Sequence, residues 1–172
     1  AAPFYIGYAT TQLGLSSEVA VPTLLAMQTI GTLSGALVYT WLGERNNLLY
    51  IRLALGAGAL LPISALLAGV IGPLPLYIGF LVSGLANGSN LFAGFLNWVV
   101  GYAPAEQRPL YVGLANTVTA LVSLITPFIS GTIAQQLGYR PLFVVSLTMA
   151  LGTLFMTIRY LRAKPVETPV VA

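Results

Sequence analysis

The stretch AVPTLLAMQTIGTLSGALVYTWL, residues 20–42, decides the fold class of this chain. It contains no charged side chain and no run of turn-forming residues. A helix of about 20 apolar residues crosses the roughly 30 Å hydrocarbon core of a bilayer. The stretch therefore predicts a transmembrane α-helix.

Similar apolar runs follow along the rest of the chain, at 50–71, 75–99, 110–134 and 141–161. Residues 1–11 are apolar as well, but at about 1.5 Å per residue they would cross only about half of the hydrocarbon core. We therefore expect an all-α integral membrane protein. It would be a six-helix bundle with five full transmembrane helices and a partial first helix, whose beginning we expect outside this chain.

Composition supports the same class, since hydrophobic residues make up 57% of the chain and charged residues 6%. A soluble domain carries roughly a quarter charged residues. The net charge of +3 is too small and too scattered to indicate a nucleic-acid partner. The chain has no cysteine and no histidine, which removes the usual metal ligands and two common catalytic groups. We predict no cofactor, no metal site and no enzymatic activity.

The distribution of positive charge predicts how the helices are oriented. If the first helix runs outward, one set of basic residues faces the cytoplasm: Arg45, Arg52, Arg108, Arg159, Arg162 and Lys164. Only Arg140 then faces outside, so the positive-inside rule places the C-terminus in the cytoplasm. Residues 1–162 form the predicted transmembrane domain, and residues 163–172 a cytoplasmic, disordered tail. The expected location is a cell membrane, such as a bacterial inner membrane.

An internal repeat is visible in the stretches LSGALVYTWLGERNNLLYIRLALG (33–56) and ISGTIAQQLGYRPLFVVSLTMALG (129–152). The two share SG, LG-x-R and a final ALG, and the first has one extra residue between SG and LG. They end helices that are three spans apart, so their orientations are inverted. Inverted three-helix repeats are typical of transporters, and chance similarity between apolar helices is the alternative.

Polar side chains recur at steps of three and four residues on three of the spans, which places each set on one helix face. The sets are Gln28, Thr32, Gly35 and Tyr39; Ser83, Asn87, Asn90, Gly94 and Asn97; and Asn116, Thr119, Ser123, Thr126 and Ser130. Any one amide could serve as interhelical glue, worth about 1 kcal/mol or less, and the G-x-x-x-G spacings at 31–35 and 84–88 permit close helix packing. The alignment of amides on three helices favours a shared aqueous cavity.

Three local motifs resemble the major facilitator superfamily of secondary transporters: GALVYTWLGER (35–45), PAEQR (104–108), and PFISG (127–131) followed by LGYRPLF (137–143). The resemblance implies helices seven to twelve of a twelve-helix fold, with the seventh truncated and an N-terminal six-helix half as the missing partner. It also implies that helices seven, eight, ten and eleven line the cavity. The acidic residue of the family's loop signature is absent, because Tyr39 or Thr40 stands at its position.

Together these observations predict transport of a small solute across the lipid bilayer by alternating access, secondary active or facilitative, with drug or metabolite efflux as one form. The expected solute contacts are Tyr5, Tyr8, Gln28, Thr32, Asn87, Asn90, Asn116, Thr119 and Ser123. The expected gating and loop-signature residues are Gly35, Gly43, Arg45, Asn97, Arg108 and Pro127. A self-assembling channel, or a non-transporting receptor or scaffold, is the alternative.

Overall fold

The computed structural model describes the backbone of residues 2–43, 45–87 and 89–161, and the side chains of 3–43, 45–86 and 91–161. The helices are α1 (Ala2–Thr11), α2 (Ser17–Val38), α3 (Asn47–Gly58), α4 (Leu60–Ile71), α5 (Leu74–Asn87), α6 (Ser89–Tyr102), α7 (Arg108–Gln136) and α8 (Tyr139–Tyr160). A π-helical segment, Tyr39–Gly43, follows α2, and a 3₁₀ turn, Ala105–Gln107, precedes α7.

Five helical stretches are long and apolar enough to cross a membrane, and they match the five predicted full spans. They are Ser17–Gly43, Asn47–Ile71, Leu74–Tyr102, Ala105–Gln136 and Tyr139–Tyr160. The short α1 precedes them. The predicted all-α membrane bundle is confirmed.

The third span is two helices, α3 and α4, which meet at Ala59. Pro62 explains the break. A proline has no N–H to donate to the carbonyl four residues earlier, and its ring clashes with that carbonyl. For Pro62 that residue is Gly58, where α3 ends.

The connections place the basic residues at one end of the bundle. Arg45, Arg52, Arg108 and Arg159 lie where α2 and α6 end, where α3 and α7 begin, and in the last turn of α8. We call this the basic end. At the opposite end the chain reverses through Gly72 and Gly138, with φ values of 95° and 89° that favour glycine.

Close packing of α2 against α5 rests on glycines of both helices. A Cβ added to Gly31 would overlap the carbonyl oxygen of Leu81, and one at Gly35 would lie 2.5 Å from the carbonyl oxygen of Leu85. On the facing helix, a Cβ at Gly84 would overlap the carbonyl oxygen of Gln28. The spacing at 31–35 therefore acts as predicted, by letting two backbones approach. Residue 88 of the second spacing lies outside the described residues.

The π-helical segment coincides with the extra residue of the first repeat copy. A π turn holds one residue more than an α turn, because its hydrogen bonds reach five residues back instead of four. Tyr39–Gly43 begins four residues after Gly35 of the SG and ends with the LG of that copy, whereas the second copy runs as regular α-helix to Gln136. The extra residue thus alters one helical turn, and both copies remain helix–turn–helix units. The inverted repeat itself stays a prediction.

Candidate solute pathway

Helix α7 is the least covered helix of the bundle. It is 29 residues long, and none of its residues is buried. The predicted polar stripe lies along it: Asn116, Thr119, Ser123 and Thr126 are exposed, and Ser130 is partly buried. From Asn116 to Ser130 the stripe rises about 21 Å, or two-thirds of the hydrocarbon core.

The stripe forms one wall of a cleft between α1 and α7, with a volume of about 270 Å³. Its lining residues are Phe4, Val122, Ser123, Thr126, Pro127 and Ser130. The Thr126 hydroxyl donates to the carbonyl oxygen of Val122 at 2.6 Å, so it is satisfied within its own helix and can still accept a hydrogen bond.

Pro127 adds a second acceptor to this cleft. Because proline has no N–H, the carbonyl of Ser123, four residues earlier, receives no hydrogen bond from position 127. The helix continues through this proline without a break. The cleft therefore offers a hydroxyl and a freed carbonyl from the same residue, while a hinge at Pro127 stays a prediction.

The two tyrosines of α1 lie in the core and not in the cleft. Tyr5 is 4% exposed and Tyr8 is 2% exposed. The Tyr5 ring stacks on Phe143 with centroids 4.7 Å apart, and Tyr8 meets the same ring edge-on at 5.0 Å. Phe4, on another face of α1, is the aromatic side chain that reaches the cleft. Tyr5 and Tyr8 therefore belong to the packed core of this half.

The predicted stripe on the second span is partly used in packing. Gln28 and Thr32 are partly buried, and Thr32 donates to the carbonyl oxygen of Gln28 at 2.9 Å. Gly84 of α5 packs against the backbone of this same turn. Gly35, predicted as a gating residue, is buried against Leu85. Neither polar side chain lines the α1–α7 cleft.

The predicted stripe on the fourth span is not a single open face. Ser83 is 2% exposed, and its hydroxyl donates to the Phe80 carbonyl oxygen at 3.1 Å. Gly94 is buried against α3, where its carbonyl oxygen accepts from Asn47 Nδ2 at 2.7 Å. The prediction of one open face is wrong for these two positions, because a spacing of three and four residues does not say which neighbour the face meets. Asn87 and Asn90 lie on helices α5 and α6, and their side chains are outside the described residues.

Comparison with known proteins assigns the family. The family model of the Major Facilitator Superfamily matches residues 1–172, the whole chain. The chain belongs to the Major Facilitator Superfamily. This membership places it among membrane transporters and away from enzymes.

Curated relatives of this superfamily member are fungal proteins. It is 30% identical over 90 residues to the MFS-type transporter VdtG of Byssochlamys spectabilis. This alignment covers 52% of this chain and 16% of that protein. It is 28% identical over 113 residues to the MFS-type efflux pump elcC of Phaeosphaeria nodorum. The alignment covers 64% of this chain and 20% of that protein. It is 31% identical over 78 residues to the efflux pump aunC of Aspergillus niger. That alignment covers 45% of this chain and 15% of the relative. No solved structure matches this chain.

At the basic end, two of the residues predicted to gate, Asn97 and Arg45, contact the π-helical segment. Asn97 Nδ2 donates to the Tyr39 hydroxyl at 2.7 Å, which joins the π-helical segment to α6. The Arg45 guanidinium lies over the Trp41 ring, 5.2 Å from its centroid. Gly43 is buried beneath the Tyr39 ring, where a Cβ would overlap that ring.

Arg108, in the PAEQR stretch, is exposed and begins α7 after the 3₁₀ turn. Of the two residues that the resemblance places at the acidic signature position, Tyr39 accepts from the Asn97 amide and Thr40 donates to the Leu37 carbonyl oxygen. A gating role for these residues stays a prediction.

Proposed function

We propose that this chain forms the C-terminal half of a Major Facilitator Superfamily exporter that moves a small solute by alternating access. The carrying observation is α7, whose polar stripe spans about two-thirds of the membrane thickness and is exposed at four of its five positions. The Asn116 amide would have no water to bond with if this stripe faced lipid, although the Thr119 and Thr126 hydroxyls donate within their own helix. It is better satisfied by a water-filled path between this half and a second half.

The chemistry of the cleft suggests the class of solute. The hydroxyl groups of the cleft both donate and accept hydrogen bonds, the freed Ser123 carbonyl accepts them, and Phe4 adds an apolar surface. The stripe from Asn116 to Ser130 carries no ionisable side chain. The proposed solute is therefore neutral or zwitterionic and partly apolar. Two of the relatives are named efflux pumps, which favours export.

A residue that couples transport to protons is expected outside this stripe. Proton relays use ionisable side chains inside the bundle, and this stripe has none. A proton-coupled transporter would take its carboxylate from the other half, whereas a facilitator needs no such group. The curated relatives are much longer than the matched segments, with 15–20% of their length aligned. The second half is thus part of this proposal.

Filling the cleft tests the proposal. In the full-length transporter, Ser123→Trp is expected to abolish most efflux of Nile red, a neutral and partly apolar dye, from cells. The matched control is Thr117→Trp, on the same helix but off the stripe, where the native hydroxyl bonds to the Gly113 carbonyl oxygen. Equal efflux by both variants, at equal amounts in the membrane, would contradict a solute path through this cleft.

The basic end is cytoplasmic in this proposal, because four arginines lie there and Arg140 lies at the other end. A C-terminal reporter that fluoresces only in the cytoplasm checks the assignment. Fluorescence from a reporter placed in the 72–75 turn instead would contradict it.

A further inference from the structure

A second concave surface lies away from the solute cleft, along the seam between α3 and α6. Its deep part has a volume of about 340 Å³ and an apolar lining that includes Ile51, Leu55, Phe92, Phe95 and Thr153 of α8. Its outer part has about 280 Å³ and a polar lining that includes Arg45, Asn46, Asn47, Trp98 and Tyr102. We call the two together the α3–α6 groove.

The two parts lie along the same faces of α3 and α6. On α3 the lining passes from Leu48 to Ile51 and Leu55, and on α6 from Phe95 to Trp98. Steps of three and four residues keep side chains on one helix face. The Phe95 and Trp98 rings also stack, with centroids 6.4 Å apart and planes 21° from parallel. The groove therefore runs from the basic end into the apolar part of the bundle.

The dimensions of the groove match one leaflet of a bilayer. From Asn47 to Leu55 the α3 wall rises about 12 Å, close to the roughly 15 Å of one leaflet's hydrocarbon. Trp98 and Tyr102 pack together at its mouth, with ring centroids 5.1 Å apart. Tryptophan and tyrosine are enriched at the headgroup level of membranes. The mouth therefore lies at the headgroups, and the deep part among the acyl chains.

The mouth carries positive charge and an unused acceptor. Arg45 is exposed, and Trp41 lies beneath its guanidinium. Asn47 donates to Gly94, and among the described residues its buried Oδ1 has no hydrogen-bond partner. A phosphate suits the exposed guanidinium.

A second guanidinium lies alongside the deep part. Arg52 donates to the carbonyl oxygen of Leu161, a lining residue, at 2.9 Å, and its Nε is buried without a partner. Basic pockets between transmembrane helices bind anionic lipid headgroups. Charge and apolar shape therefore point to the same amphipathic occupant.

We propose that the α3–α6 groove binds one anionic glycerophospholipid, with its phosphate at Arg45 and one acyl chain along Ile51, Leu55 and Phe95. Neither α1 nor α7 contributes to the described lining, so this site is separate from the solute cleft and does not depend on the proposed transport. The proposed role of the groove is to hold a lipid of the basic-end leaflet against α3 and α6.

Native mass spectrometry of the full-length transporter tests this with phosphatidylglycerol and phosphatidylcholine of identical chains as probes. We expect wild-type protein to retain phosphatidylglycerol preferentially, and Arg45→Gln to reduce that preference about fivefold. Arg159→Gln removes the same charge from an exposed site at the same end, outside the lining, and should leave the preference unchanged. Thr153→Phe, which fills the deep part, should reduce retention of both lipids.

Three results would overturn the proposal. Equal retention of both lipids by the wild type would show that the charge of the headgroup does not contribute to binding. Equal losses in Arg45→Gln and Arg159→Gln would indicate surface charge without a site. Competition by soluble glycerol phosphate as strong as by the lipid would indicate a phosphate site that needs no acyl chain.

Discussion

At the scale of single residues, Tyr39 and Tyr50 show how one residue type serves two purposes at the basic end. Their rings meet edge-to-face with centroids 4.9 Å apart. The Tyr39 hydroxyl accepts from Asn97, whereas the Tyr50 hydroxyl is buried with no partner. The same change, tyrosine to phenylalanine, should therefore have different effects at the two positions.

Tyr39→Phe is expected to lower the free energy of unfolding by about 0.5–1 kcal/mol, the value of a neutral interhelical hydrogen bond. Tyr50→Phe keeps the ring contact and removes a buried, unpaired hydroxyl, so it should be neutral or stabilising. Unfolding of the full-length transporter in a denaturing-detergent titration measures both. A loss at Tyr50 as large as that at Tyr39 would contradict these assignments.

The residue scale is also where sequence reasoning reaches its limit. The α1 tyrosines and Phe4 lie within one and a half helical turns, and the sequence alone does not tell which face of that helix meets the core. Packing decides it, because Phe143 and Phe80 offer Tyr5 aromatic partners. The polar stripe of α7 was predictable, since its spacing of three and four residues lies on a helix that buries none of its residues.

At the scale of elements, glycines permit a close contact between α2 and α5. Gly31→Ala should destabilise the protein by about 1–3 kcal/mol, because its Cβ has no space beside the Leu81 carbonyl and the backbones must separate. Gly152→Ala is the matched control. It lies inside α8 with no heavy atom within 4 Å of its Cβ position, so alanine should cost nothing there and can favour the helix.

The same detergent titration gives the comparison between these two glycines. Equal stability of both variants would show that α2 and α5 are not in tight contact in the membrane. The five membrane spans were well predicted at this scale, because apolar run length fixes them, whereas the division of the third span into α3 and α4 was not. The π-helical segment was not, although the one-residue excess in the first repeat copy marked its position.

At the scale of the whole molecule, this half contains one long helix, α7, with an exposed polar stripe. Membership of a superfamily of transporters accounts for such a stripe. A second half would close a path over α7, with the α1–α7 cleft facing into it. On this account Ser123 borders water, whereas Ser83 is enclosed by its own half. The two serines therefore differ in the one property that separates a solute path from interhelical packing.

Thiol labelling tests this difference most directly. Cysteine is absent from this chain, and Ser→Cys changes a single atom at each position in a cysteine-free version of the full-length transporter. A water-soluble, membrane-impermeant maleimide should modify Ser123→Cys and leave Ser83→Cys unmodified in the membrane. Protection of Ser123→Cys to the same extent as Ser83→Cys would contradict the solute path and make the α7 stripe a packing surface.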